Sequence, residues 1–232
     1  MTDLNQRIGE LAQWLLTSKY PVIFTGAGLS TESGLRDFRG PDGLWTRRDK
    51  GLPTPEQDWT NVEPNSGHVA IVELQKLGKL AFLISQNVDN LHLKSGIKPE
   101  LLAELHGNLT KVRCLKCEFK MDRVEGEREC PLCGGKLKST VVNFGDSLPA
   151  KDLEESYEHA QRCDLFIVVG SSLVVYPAAE MPRVALQAGA KLVIINQGET
   201  PYDTHAHLLF SEAIGEVLPA AIIRLKNLMK RA

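Results

Sequence analysis

The feature that most constrains this chain is a strand pattern running straight into a glycine turn: Val22-Ile23-Phe24-Thr25, then Gly26-Ala27-Gly28. A continuous apolar run leaves no polar face for water, so it fits a strand covered on both sides, as in a parallel sheet. Glycines at the carboxyl end of such a strand leave backbone N–H groups open to an anion such as a pyrophosphate. The run departs from a simple G-x-G-x-x-G fingerprint, because Thr31 stands where the third glycine belongs and the next glycine is Gly34. Behind the turn comes Asp37-Phe38-Arg39-Gly40-Pro41, which puts a carboxylate, an aromatic ring and a guanidinium where a Rossmann helix would continue with apolar residues.

Similar runs occur at Leu80 to Ile84, Leu165 to Val169 and Leu192 to Ile195, with helical spacing between them over Val69 to Lys76 and Ala178 to Ala188. Leu4, Ile8, Leu11 and Leu15 mark an opening helix, and the spacing from Ile214 through Val217, Leu218, Ala221, Ile222 and Leu225 to Leu228 marks a closing one. The alternation predicts an α/β fold, a doubly wound parallel sheet of Rossmann-like type. With 232 residues there is room for one large domain carrying a small one. A formal charge of -2 gives no electrostatic reason to expect nucleic acid or an anionic membrane. Met1 to Arg7 lacks a signal-peptide core, and no stretch reaches the ~18 apolar residues of a membrane span, so the expectation is a soluble cytoplasmic protein.

Ligands of open α/β sheets bind beyond the carboxyl ends of the strands. The residues there are strongly polar: Ser85-Gln86-Asn87-Val88-Asp89-Asn90-Leu91-His92 after the second run, Gly170-Ser171-Ser172 after the third, and Asn196-Gln197-Gly198-Glu199 after the fourth. One such cluster reads equally well as turns and helix caps. Four at consecutive strand ends, one of them Gly-Ala-Gly, predict a nucleotide crevice.

The cysteines carry an independent signal. Cys114-x-x-Cys117 and Cys130-x-x-Cys133 have the spacing of a zinc ribbon, in which four thiolates close a tetrahedral shell and leave no open position for chemistry. One structural Zn²⁺ is therefore predicted. Cys163 stands alone beside a core strand and reads as a small buried apolar residue. The ribbon interrupts the strand–helix alternation between His106 and a strand expected near Val141. Three parts follow: residues 1–41, 66–110 and 140–232 as the nucleotide-binding domain, 111–139 as the ribbon, and 42–65 as a mobile loop or helical insertion beside the cleft. Of six histidines, His106 in Glu104-Leu105-His106-Gly107-Asn108 is the candidate for acid–base work, although a buried, hydrogen-bonded histidine is a common alternative.

Taken together, GAGLSTESG, DFRGP, QNVD, HGN, the four-cysteine ribbon, Phe144-Gly145-Asp146, Gly170-Ser171-Ser172-Leu173 and Asn196 resemble the sirtuins, the NAD-dependent protein-lysine deacylases, over nearly the whole chain. The resemblance implies that the acyl-lysine carbonyl oxygen attacks C1′ of the nicotinamide ribose of NAD, giving nicotinamide, O-acyl-ADP-ribose and free lysine. It implies that His106 is the general base and that Asn87 positions ribose or water. Gly26, Ala27, Gly28, Thr31, Asp37, Phe38, Arg39, Gln86, Asn87, Val88, Asp89, His106, Gly170, Ser171, Ser172, Asn196, Gln197, Gly198 and Ile214 would contact NAD. Val142, Phe144, Gly145, Asp146, Ser147 and Val174 would contact an acylated-lysine peptide, which would add as a strand.

Asn90, Asn143 and Asp146 depart from the residues frequent in the family, all on the substrate side. No Tyr-x-x-Arg pair occurs between Trp45 and Gln86, which argues against acidic acyl groups. Gly43 to Thr46, Pro64 to Leu77 and Glu104 to Asn108 look most like the class IV branch. The alternatives are a protein mono-ADP-ribosyltransferase using the same site and a non-catalytic NAD-sensing interaction module.

Overall fold

A computed structural model describes residues 3–59 and 61–231. Six parallel strands form the main sheet: β1 (Pro21–Thr25), β2 (Phe82–Ser85), β3 (Leu102–Glu104), β7 (Leu165–Val169), β8 (Lys191–Ile195) and β9 (Leu208–Phe210). Their order is β3-β2-β1-β7-β8-β9. It is the order of a doubly wound dinucleotide fold, and the chain reverses direction between β1 and β7. β4 (Lys111–Cys114), β5 (Lys120–Asp122) and β6 (Leu137–Ser139) make a separate antiparallel sheet, β5-β4-β6.

Alternation along the central strands explains why both faces are apolar. Ile23, Leu83, Ile167 and Val193 point into one cluster, beneath α1 (Leu4–Thr17), α3 (Ser66–Lys76) and α7 (Ile214–Met229). Val22, Phe24, Ile84, Phe166 and Ile194 point into the other, beneath α5 (Ala150–Arg162) and α6 (Met181–Gln187). With helices on both sides each residue of β1 and β7 is buried, which is why these strands read as unbroken apolar runs.

Several expectations shift. The expected helix over Ala178 to Ala188 is a 3₁₀ turn at Ala178–Glu180 followed by α6, with Pro182 in its first turn. Pro182 has no N–H to donate there, a loss that costs nothing at a helix start. The expected strand near Val141 is absent: β6 ends at Ser139, and residues 140–142 instead hydrogen-bond to the segment carrying His106. Between residues 42 and 65, the described residues hold one short helix, α2 (Leu44–Asp49). A further short helix, α4 (Leu91–Ser95), follows the second strand end.

Candidate active site

The glycines of the opening run lie at the reversal between β1 and β7. Gly26 N donates to Val169 O at 3.0 Å and Gly28 N to Gly170 O at 2.8 Å, which laces the two strand ends together. The fit tolerates no side chain: a Cβ on Gly28 would sit 2.9 Å from Gly170 Cα, and one on Gly170, whose φ is +64°, would sit 2.2 Å from Leu29 N. After Gly26 the chain forms a 3₁₀ turn over Ala27–Ser33 in place of a Rossmann α-helix, ended by Gly34 in the left-handed region. Thr31 Oγ1 closes that turn on Gly28 O at 2.9 Å.

Above it a buried polar network gathers the second strand end. Asn87 Nδ2 donates to Ser30 Oγ at 3.2 Å, and Ser30 Oγ donates to Asp89 Oδ2 at 2.6 Å. Asp89 Oδ1 accepts from Leu91 N at 2.9 Å. Burial pushes the Asp89 carboxyl above its ordinary value, against the hydrogen bonds that favour the anion. Gln86 Nε2 reaches Ser171 Oγ at 2.7 Å, so the loops after β2 and β7 meet across the end of β1. Asn87 Oδ1 is buried with no partner among the described residues. An unpaired buried acceptor beside a glycine cradle is the pattern of a ligand site, and the set fits a nucleotide that brings a hydrogen-bond donor to Asn87.

His106 stands beside this network. Its Nδ1 donates to Gln86 O at 3.0 Å, which leaves Nε2 as the lone-pair nitrogen. Burial lowers its pKa below the ordinary histidine value, and the Gln86 carbonyl opposes that shift. Val142 N donates to His106 O at 3.0 Å and Asn108 N to Thr140 Oγ1 at 3.0 Å, so the segment 140–142 straps the histidine loop. Asn90 takes the left-handed conformation, φ 65°, which asparagine tolerates better than most residues. Its Oδ1 accepts from the buried Asn108 Nδ2 at 2.8 Å, which gives this departure from glycine a structural role.

Three aromatic rings lie in a row after the glycine turn. Phe38 and Trp45 lie 4.8 Å apart between centroids, and Trp45 and Phe144 5.2 Å apart. Arg39 lies over the Trp45 ring at 4.7 Å and pairs with Asp49 at 3.2 Å. Asp37, half-buried and shifted upward by burial, accepts from Gly40 N at 3.0 Å. Gly145, Asp146, Ser147 and Val174 are exposed, as is Phe144 at 78%. Asp146 Oδ2 accepts from the main chain and side chain of Asn143, each at 3.2 Å, so these two departures from the family pattern stabilise one turn.

Not every expected residue lies open at the crevice. Ile214 is buried in the apolar cluster with Leu29, and Asn196 Nδ2 turns back onto Gly198 O at 2.7 Å. Ser85 and His92 bound the polar cluster expected after the second run, and Thr25 and Ser30 belong to the opening run, but the sequence assigns none of the four a role; all four are buried. Thr25 and Ser85 are the polar last residues of apolar strands, whereas Ser30 lies in the 3₁₀ turn and His92 in α4. Two surface clefts of about 330 and 510 Å³, one lined by Gln13 and Arg224 and the other by Tyr157 and Arg183, lie on helix surfaces and take in none of these groups.

The sulfurs of Cys114, Cys117, Cys130 and Cys133 all lie within 4.8 Å of one another. Pairs at 3.3, 3.5 and 3.7 Å are too far apart for disulfides. They approach the edge of about 3.8 Å that a tetrahedron with ~2.3 Å zinc–sulfur bonds requires. The donor set fits zinc.

A doubly wound sheet with a glycine-laced reversal, a polar crevice at its strand ends and a four-thiolate ribbon is the framework of a nucleotide-binding protein. Residues 52–177 match the Sir2 family. The chain is 41% identical to NAD-dependent protein deacylase 2 of Archaeoglobus fulgidus, covering 97% of this chain and 98% of that protein. It is also 41% identical to NAD-dependent protein deacetylase SRT1 of Oryza sativa subsp. indica, covering 97% of this chain but 49% of that protein, so it spans about half the length of the plant relative. A solved structure of Sir2Af2 bound to a myristoylated histone peptide superposes with a TM-score of 0.74 at 38% identity, covering 98% of this chain and 99% of that one. The chain belongs to the Sir2 family.

Proposed function

We propose that this chain removes acyl groups, acetyl or longer, from protein lysine side chains, with NAD as co-substrate. The observation that carries the reading is the arrangement of His106: its Nδ1 is anchored, its Nε2 has no hydrogen-bond partner among the described residues, and it stands beside the buried Asn87–Ser30–Asp89 network at the sheet reversal. The names of relatives at about 40% identity supply the reaction class. When bound, NAD supplies a ribose carbon activated by its nicotinamide leaving group. Asp89 and Asn87 would hold the carboxamide and ribose, and the Gly26–Gly28 turn with Thr31, Ser171 and Ser172 would hold the phosphates and adenosine side. His106 Nε2 would take a proton from a ribose hydroxyl. Phe38, Val142 and Phe144 would shield the uncharged acyl chain from water, and residues 145–147 and Val174 would pair with the peptide backbone.

The zinc site, with its shell closed, would fold the ribbon rather than take part in the reaction. On this reading residues 1–41, 66–110 and 140–232 form the NAD domain, 111–139 the ribbon and 42–65 the wall that closes over substrate. The Gly43 to Thr46 and Glu104 to Asn108 motifs support the class IV branch. Thiolates kept for a metal suit a reducing compartment such as the cytoplasm. Among the described residues no helix is long and apolar enough to cross a membrane.

The test is a panel of lysine peptides carrying acyl groups of increasing length, each incubated with labelled NAD and followed by mass spectrometry. Formation of O-acyl-ADP-ribose with free lysine is the expected result. Label retained on protein without deacylated peptide would replace this reading with ADP-ribosyl transfer. NAD binding without nicotinamide release would replace it with a sensing module.

A further inference from the structure

Two deeply buried histidines have no part in the proposed chemistry. His68 and His92 are 0% and 4% exposed, and their rings lie 5.2 Å apart between centroids. His92 Nε2 lies 2.9 Å from Thr25 Oγ1, Thr25 Oγ1 donates to Ser85 Oγ at 3.0 Å, and Asn87 N donates to the same Ser85 oxygen at 3.0 Å. An unbroken polar chain therefore runs from the His92 ring to the main chain of Asn87. It passes through the last residues of β1 and β2.

Packing alone does not call for it. Thr25 pairs in register with Ser85 on one side and Val169 on the other, and Val169 pairs with Ile195. At this one level of the sheet the half under the Asn87 loop is polar and the other half is apolar. Buried hydroxyls and imidazoles are favourable only when paired, so a valine here would satisfy the core more simply. Burial, reinforced by His68, holds His92 well below the ordinary histidine range, so the ring is neutral and has a single N–H. With Thr25 donating to Ser85, that N–H sits on Nε2 and is given to Thr25. His68 in turn is fixed by Asn65, whose Oδ1 lies 3.1 Å from His68 Nδ1 and whose Nδ2 donates to Leu29 O in the glycine-turn segment at 2.7 Å.

We propose that His92 is a positioning residue for the reaction: acting through Thr25 and Ser85, it fixes the main chain of Asn87 and so aims the Asn87 side chain at the substrate. The inference rests on the deacylase reading above. The test compares full-length, metal-loaded wild type with Thr25→Val, which keeps shape and deletes the hydroxyl, and Thr25→Ser, which keeps the hydroxyl. Nicotinamide release is measured with NAD and with acetyl-lysine and myristoyl-lysine peptides.

The expected result is a kcat lowered at least about tenfold in Thr25→Val, as for a small misplacement of a reacting group. Its KM for peptide stays near the wild-type value, and Thr25→Ser keeps most of the wild-type kcat. An active wild type with an equally active Thr25→Val overturns the inference, and so does a Thr25→Ser as impaired as Thr25→Val. A wild type that releases no nicotinamide overturns the functional reading and the inference with it. Should Thr25→Val fail to fold, Ser85→Ala replaces it: lowered kcat at unchanged KM supports the proposal, and wild-type kcat overturns it.

Discussion

His106 Nδ1 lies 3.0 Å from the carbonyl oxygen of Gln86. A carbonyl only accepts, so the proton of the neutral ring sits on Nδ1 and Nε2 is the basic atom. Burial lowers the pKa from its ordinary value near 6.5, and a base works in its unprotonated form. Turnover should therefore stay flat from pH 8 down to about 6.5 and fall only below that. A rate profile of O-acyl-ADP-ribose formation checks it, and an acid limb centred above pH 7 would contradict the assignment. His106→Ala should lower turnover by roughly 10²–10⁴ with NAD affinity retained, measured by calorimetry.

Gly107 joins this histidine to the strap over it. Its φ is +76°, and a Cβ placed there would lie 2.0 Å from Thr140 O, a main-chain atom with little freedom to yield. Gly107→Ala should cost at least about 1–2 kcal/mol for the left-handed conformation alone, before the clash is added. Urea unfolding should show the loss of stability, and activity should fall with it because the strap holds His106 O through Val142 N. An alanine variant of wild-type stability would mean that residues 140–142 do not pack against the histidine loop.

The ribbon offers the metal little help in folding. Within residues 111–139 only Val112, Cys114 and Cys130 are buried, too few apolar groups to hold three short strands together. The chain should carry one zinc, measured by elemental analysis, and Cys130→Ser should lose both the metal and the protease resistance of this segment. The damage should reach the active site through Asp152, whose Oδ1 accepts from Glu104 N at 3.0 Å and whose Oδ2 meets Lys120 Nζ at 3.2 Å. Turnover should fall more than NAD affinity does, since the glycine turn lies on the main sheet. Full activity in a zinc-free chain would count against this linkage.

The parts of the fold legible in the sequence are those where local pattern and burial agree. β1 and β7 are covered on both faces and read as apolar runs, and the ribbon follows from cysteine spacing alone. β3 and β9 escape notice because they are edge strands of three residues, too short to show a period. Val141 and Val142 suggest a strand by residue type, yet their backbone serves as a strap for His106. Of the site, the strand-end motifs announce themselves, the polar run from Ser85 to His92 among them, whereas the supporting hydrogen bonds of Thr25, Ser30, Ser85 and His92 do not. A polar residue at the end of a strand has the same signature whether it caps a helix or supports a catalytic loop.

Buried neutral histidines also set how the fold responds to acid. Burial drives the His68 pKa down to about 4, whereas in the unfolded chain it sits near 6.5. Below pH 6.5 the unfolded chain therefore binds more protons than the folded one, and stability falls as pH falls until about pH 4, where the effect saturates. His92 shifts in the same direction, also through burial first. Asp89, raised by burial, acts in the opposite sense, because the folded state takes up its proton more readily, and it matters only near the carboxylate range. Between pH 6.5 and 5 the histidines dominate, and His68 alone accounts for about 2 kcal/mol of lost stability at pH 5. Urea unfolding at pH 7 and pH 5 should show this loss in the wild type, and His68→Gln should show a smaller one from a lower starting stability. Equal wild-type stability at the two pH values would mean that the buried histidines accept protons without penalty.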